Sequence, residues 1–116
     1  MRRTRVVVAV LLLMAVVGLP LFAQKKQKLY YVPKFTGFIF FELAGQGAKK
    51  ACDELGVDMV TLGTTQNDVE GYVQILQNLV PQRPQIMVTT SSDANAPVPV
   101  LKKMKAAGAT IVTFDS

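Results

Sequence analysis

The chain has 116 residues, half of them hydrophobic, with 13 basic against 8 acidic side chains and a net charge of +5. That length admits one small domain, and the lack of any histidine excludes His-based catalytic triads and His-containing metal sites. Arg2, Arg3 and Arg5 crowd the first five positions; without them 10 basic residues stand against 8 acidic, a net +2 too mild to argue for nucleic acid.

Residues 1–23 come first and read as a secretory signal peptide. A basic start is followed by 12 residues without a polar side chain, Val6 to Val17, and then by Gly18-Leu19-Pro20-Leu21-Phe22-Ala23. The expected cut lies after Ala23. The competing reading is an uncleaved anchor, since Val6 to Ala23 is 18 residues, the lower edge of a spanning helix. Gly18 and Pro20 interrupt that run, which favours the signal. Cys52 is the sole thiol, so no internal disulfide can form, and no cysteine at the end of the apolar run offers a lipid anchor. The periplasm is the expected destination. Residues 24–28, with Lys25, Lys26 and Lys28, read as a solvated basic leader.

Leu29 to Val32 is a short apolar run closed by Pro33 and predicts a buried strand. After a loop over Pro33 to Gly37, Phe40, Phe41, Ala44, Gly47, Ala48, Ala51, Cys52 and Leu55 recur at spacings of three and four, one face of a helix that Gly56 ends. Val57 to Leu62 predicts a second strand. Val69, Tyr72, Val73, Leu76, Leu79 and Val80 mark a second amphipathic helix, with a cap in the preceding polar loop and Pro81 and Pro84 beyond. Ile86 to Thr89 is a third strand. Pro97 and Pro99 fit only the first turn of a third helix, carried on by Val98, Leu101 and Met104 and ended by Gly108. Ala109 to Phe114 is the fourth strand.

This β-α-β-α-β-α-β order predicts an α/β fold, an open parallel sheet with helices on both faces and right-handed crossovers. Four strands make a minimal sheet, and no helix follows the last one to cover its flank, so the domain is expected to continue past Ser116.

Ligands of such sheets bind beyond the carboxyl ends of the strands. Lys34 to Phe41, Thr64 to Asp68, Ser91 to Asn95, and Asp115 with Ser116 fall there. A lysine, aromatics, hydroxyls and carboxylates suit a neutral polyol: carboxylates accept from hydroxyl pairs, lysine donates to ring or carbonyl oxygens, and aromatic faces cover C–H groups. Each has a plainer role as well. Phe40 and Phe41 can anchor the core, Asp93 can cap the third helix, Asp115 can form a salt bridge and Lys34 can be solvated. No dinucleotide fingerprint or Walker motif is present. Paired carboxylates for glycoside cleavage reduce to Asp93 and Asp115, with nothing to assign an acid. No enzyme activity and no cofactor are expected.

Tyr30-Tyr31-Val32-Pro33-Lys34-Phe35-Thr36-Gly37, Phe40-Phe41, Gly47-Ala48 with Ala51, Leu55-Gly56-Val57-Asp58 and Val112-Thr113-Phe114-Asp115-Ser116 together resemble the start of periplasmic sugar-binding proteins of ABC importers. The branch most resembled is that of the rhamnose-type and autoinducer-2-type receptors, from about residue 28 onward. The resemblance implies that residues 29–116 are the first part of the N-terminal lobe of a type I periplasmic binding protein, with a second lobe and a hinge absent. It implies a role in capturing a rhamnose-like or autoinducer-2-like sugar and handing it to a membrane permease. A periplasmic sensor for signalling and a non-functional truncated half-lobe are the alternatives; a repressor effector domain would need a helix-turn-helix in front. By the same resemblance Lys34 and Asp115 hydrogen-bond the ligand, Phe41 is a site aromatic, and Ser91 and Asp93 lie in the third-strand loop of the site. Phe38-Ile39 stands where members often carry Asn-Pro, so a polar ligand contact is replaced there.

Overall fold

A computed structural model describes residues 25–115. The expected signal peptide, its cleavage after Ala23, and Ser116 lie outside the described residues. The elements run β1 (Lys28–Val32), α1 (Ile39–Leu55), β2 (Asp58–Thr61), α2 (Val69–Leu79), a 3-10 turn (Val80–Gln82), β3 (Ile86–Thr89), α3 (Val98–Ala106) and β4 (Thr110–Thr113). Every expected strand and helix is present, with ends shifted by a residue or two. Lys28 is the first residue of β1 rather than part of a leader, and Lys26 is ion-paired with Asp58 at 2.6 Å.

The four strands form one parallel sheet in the order β2-β1-β3-β4. The chain steps from β1 to β2 in one direction and from β2 past β1 to β3 and β4 in the other. Crossovers of one hand therefore place α1 on one face and α2 with α3 on the opposite face. The packing agrees: α1 lies on β1 and β2, whereas α2 and α3 touch each other.

The core sits on the α2–α3 face. Tyr30, Val32 and Met87 from the sheet meet Tyr72, Leu76 and Leu79 of α2 and Val100 and Met104 of α3. Alternation along a strand sends Tyr31 to the other face, where it lies under α1 and is only 2% exposed. α1 approaches β1 closely because Gly45 has no side chain: a Cβ there would stand 3.1 Å from the Tyr31 ring. Gly56 ends α1 in the left-handed conformation, φ 69°. Asp68 caps α2 by accepting from the Gly71 amide at 3.0 Å.

The sequence pattern places Phe40, Ala51 and Leu55 on the buried face of α1, and here the structure differs. All three are exposed, Leu55 at 77%. The Phe40 ring rests on that of Phe41 at 5.3 Å, and Leu55 borders a hollow that Lys25, Lys26 and Gln85 also line.

Candidate functional site at the carboxyl edge of the sheet

The strand order reverses between β1 and β3, and the loops that leave these two strands part to either face. That divergence opens the crevice where α/β sheets hold ligands. Three of the expected residues come to this edge. Lys34 follows β1, Asp115 follows β4, and Phe41 opens α1 between them.

Lys34 and Asp115 are brought together across 81 positions of sequence. The ammonium lies 3.3 Å from Oδ2 of Asp115 and donates to its backbone carbonyl at 3.2 Å. The ammonium also stands 5.6 Å from the centre of the Phe41 ring. Asp115 holds φ 48°, in the left-handed region that aspartate tolerates better than most residues. Backbone strain of this kind gathers at binding sites. The strained turn is fixed from below by Thr90, which is 1% exposed and donates its hydroxyl to the Asp115 carbonyl at 2.8 Å. Thr90 thus supports the candidate site from beneath, and the sequence reading passes over it as loop. Its only signal is its place, one residue after a buried strand.

The β1 and β2 loops are tied together. The Thr64 hydroxyl donates its single proton to the Gln66 carbonyl at 2.7 Å and lies 3.3 Å from the Lys34 carbonyl, and the Thr64 carbonyl accepts from the Thr36 amide at 2.8 Å. The Lys34 backbone is thus held from the neighbouring loop. The Glu42 side chain accepts from the Gly37 amide at 2.9 Å and closes the turn into α1.

Phe41 is 3% exposed and packs among Phe35, Phe38, Phe40 and Phe114, with ring centres 5.3 to 6.4 Å away. Its carbonyl accepts from the Tyr31 hydroxyl at 2.8 Å. It is the anchor of an aromatic cluster, and the exposed ring area at the edge belongs to Phe38 and Phe40. Phe38 occupies the cap position of α1, its ring 5.7 Å from that of Phe41.

Ser91 and Asp93 stand apart from this pair, engaged in their own turn. Ser91 donates to the Asp93 carbonyl at 2.8 Å and accepts from the Asp93 amide at 3.1 Å. The Asp93 carboxylate accepts from the amides of Ala96 at 2.7 Å and Asn95 at 2.8 Å. These backbone donors hold its pKa below the ordinary value of 3.8, because they favour the charged form. The next loop residue, Ser92, donates to Asn67 at 2.6 Å and ties the β3 loop to the β2 loop.

The edge is open rather than enclosed. A hollow of about 660 Å³ lies at the other end of the strands between Lys25, Lys26, Leu55, Gly56 and Gln85. Its lining has neither the aromatic cluster nor the converging loops of the carboxyl edge. The site is thus one wall: an ammonium, a carboxylate and a phenyl cluster, with no opposing surface among the described residues.

A sequence profile described as a periplasmic binding protein domain matches residues 29–116. The chain belongs to the periplasmic binding protein family. LsrB of Clostridium saccharobutylicum, solved in complex with AI-2, is 30% identical with a TM-score of 0.71, and the match covers 77% of this chain and 27% of that one. A sugar ABC transporter protein of Actinomyces odontolyticus is 26% identical with a TM-score of 0.73, covering 78% of this chain and 29% of its own. AraP, an arabinose-binding protein of Geobacillus stearothermophilus, is 25% identical with a TM-score of 0.73, covering 79% and 32%. The chain thus spans less than a third of each of these three. They are named for binding or transport of small molecules, and none for catalysis.

Proposed function

We propose that this chain contributes one wall of the ligand site in a periplasmic solute-binding protein that delivers a sugar to the permease of an ABC importer. The observation that carries the reading is the Lys34–Asp115 pair beside Phe41 at the carboxyl edge of the sheet. A polyol entering there exchanges the ion pair for its own bonds. A hydroxyl donates to the Asp115 carboxylate, the Lys34 ammonium donates to a ring or carbonyl oxygen, and the phenyl cluster covers a C–H face. The exchange is cheap, since a half-exposed ion pair is worth only about 0–1 kcal/mol. Once a second lobe excludes water, each charge-assisted bond to the sugar counts for more. The ligand class we favour is a rhamnose-like or AI-2-like molecule. The 30% identity to a protein solved with AI-2 supports it.

The test is calorimetry on the exported protein that contains this sequence, titrated with L-rhamnose, AI-2, D-allose and D-arabinose. Saturable binding of one of them is expected. Lys34→Met and Asp115→Asn are each expected to weaken it by about 10- to 100-fold, the loss of one charge-assisted hydrogen bond. Binding indifferent to both substitutions, or to the whole panel, would sink the proposal.

A further inference from the structure

The charges of the chain are divided between the two ends of the strands. Carboxylates stand at the carboxyl ends: Glu42 and Glu70 in the first turns of α1 and α2, Asp68 at the cap of α2, Asp93 after β3 and Asp115 after β4. Lys34 is there too, paired with Asp115. Cations gather at the opposite edge. Lys25, Lys26 and Lys28 lead into β1, Arg83 lies between the 3-10 turn and β3, and Lys103 and Lys105 stand in the last turn of α3, which runs into β4. All of them are exposed. Lys25, Lys26 and Gln85 line two adjoining hollows, and Lys28 and Arg83 line one of these. Arg83 sits on a left-handed backbone, φ 49°, which is uncommon for so bulky a residue. Asp53, Glu54 and Asp58 lie at the same end, but Lys49 pairs with Asp53 and Lys26 with Asp58. Among the described residues, Lys25, Lys28, Arg83, Lys103 and Lys105 have no carboxylate at ion-pair distance. Lys103 and Lys105 favour the end of α3 through its dipole, a role that does not account for Lys25, Lys28 or Arg83.

We infer that the amino edge of the sheet rests on an anionic membrane surface while the apolar run that ends at Ala23 is inserted in the bilayer. Two observations select this partner. The first is position in the chain. The run ends at Ala23 and β1 begins at Lys28, and five extended steps cover at most about 18 Å. The edge that carries the cations is therefore the edge held next to the headgroups. The second is charge. Anionic headgroups draw lysine and arginine within about a Debye length, about 8 Å at physiological ionic strength. The same field repels Glu42, Asp68 and Glu70, so the carboxyl edge with its candidate ligand site turns away from the bilayer. A single small anion fits the cations less well. It would occupy one hollow beside Lys25 and Lys26, and would leave Lys103 and Lys105 unused beside β4, two strands away from β1.

The experiment places the full chain on two kinds of vesicle, pure phosphatidylcholine and phosphatidylcholine with about one-third phosphatidylglycerol. Flotation retains the vesicle-bound chain, and acetic anhydride then reports the reactivity of each lysine. A surface potential of about −30 to −50 mV concentrates protons about 3- to 7-fold and lowers the free-amine fraction to match. Lys103 and Lys105 are therefore expected to react about 3- to 7-fold more slowly on the anionic vesicles, and Lys34 at the same rate on both. Lys103 and Lys105 are the deciding residues, because they are far in sequence from the apolar run and tethering alone does not bring them to the headgroups. In 1 M salt, where the Debye length is about 3 Å, the difference should vanish. Lys28→Glu combined with Arg83→Asn should also abolish it without changing flotation; asparagine tolerates the left-handed backbone at position 83. Equal rates at Lys103 and Lys105 on the two vesicles, slowing at Lys34 as large as theirs, or a chain that floats with neither vesicle would overturn the inference. The same slowing on pure phosphatidylcholine after addition of inorganic phosphate would assign the edge to a small free anion instead.

Discussion

At the scale of single residues, the polar groups that hold the site are mostly threonines, and their bonds run between elements. Thr89 is buried on β3, where its hydroxyl donates to the Val32 carbonyl at 2.7 Å and so accepts from the Tyr72 hydroxyl, also at 2.7 Å. This relay joins β1, β3 and α2 just below the carboxyl edge. Tyr72→Phe removes one neutral hydrogen bond, and urea unfolding should show a loss of about 0.5–1.5 kcal/mol. Thr89→Val should cost more, about 1–3 kcal/mol, because it leaves the buried Tyr72 hydroxyl with no acceptor. The reverse order would mean that the relay does not run as described. Asp93 gives a pH signature. Its folded pKa lies below the ordinary 3.8, so its contribution is complete above that value and is lost as pH falls through the folded pKa. Asp93→Asn should therefore flatten the acid side of the stability profile below about pH 4 and leave its slope above pH 5 unchanged. An unchanged acid limb would show that the two amide bonds are not made in solution.

At the scale of elements, local punctuation decides where each helix stops, and this was open to sequence reading. Gly56 and Gly108 both take positive φ at helix ends, and Asp68 caps α2, each as its residue type and place foretell. Gly56 has no neighbour within 4 Å of a Cβ, so Gly56→Ala meets no clash. Its cost is the left-handed conformation alone, about 1 kcal/mol in thermal or urea unfolding. A loss several times larger would point to a packing role that the structure does not contain. The exposed flank of α1 was less legible. Helical spacing groups Phe40, Ala51 and Leu55 with Phe41 and Cys52, yet only the latter two are buried. Periodicity reports which residues are apolar, and the burial of each depends on elements outside the pattern. Asp115 shows the same division. Its place after β4 follows from the strand pattern, but its φ of 48° and its bond to Thr90 depend on three loops meeting.

At the scale of the whole molecule, the sheet topology converts a sequence of alternating elements into one wall of a cleft. The reversal of strand order sets Lys34 and Asp115 against each other, and their reach spans the switch point. Neither the topology nor the pairing can be read from spacing, since both are long-range; the strand pattern put Lys34 and Asp115 at the ligand edge and the resemblance to a family marked each as a ligand contact, but neither joined them as a pair. One wall is a poor receptor. Sugar hydroxyls exchange hydrogen bonds with water at little net gain, and a half-exposed Asp115 carboxylate remains screened. Binding must also offset the lost translational and rotational freedom of the sugar, about 4 kcal/mol or more. Two charge-assisted hydrogen bonds supply about 3–6 kcal/mol when water is excluded, and less at an open edge. The balance lies near zero, so the chain by itself should bind rhamnose or AI-2 with a Kd of about 1 mM or weaker. Calorimetry on the isolated chain decides it. A Kd in the micromolar range would mean that the Lys34–Asp115 edge is already enclosed, by a second copy or by its own loops, and that a closing lobe is not needed for capture.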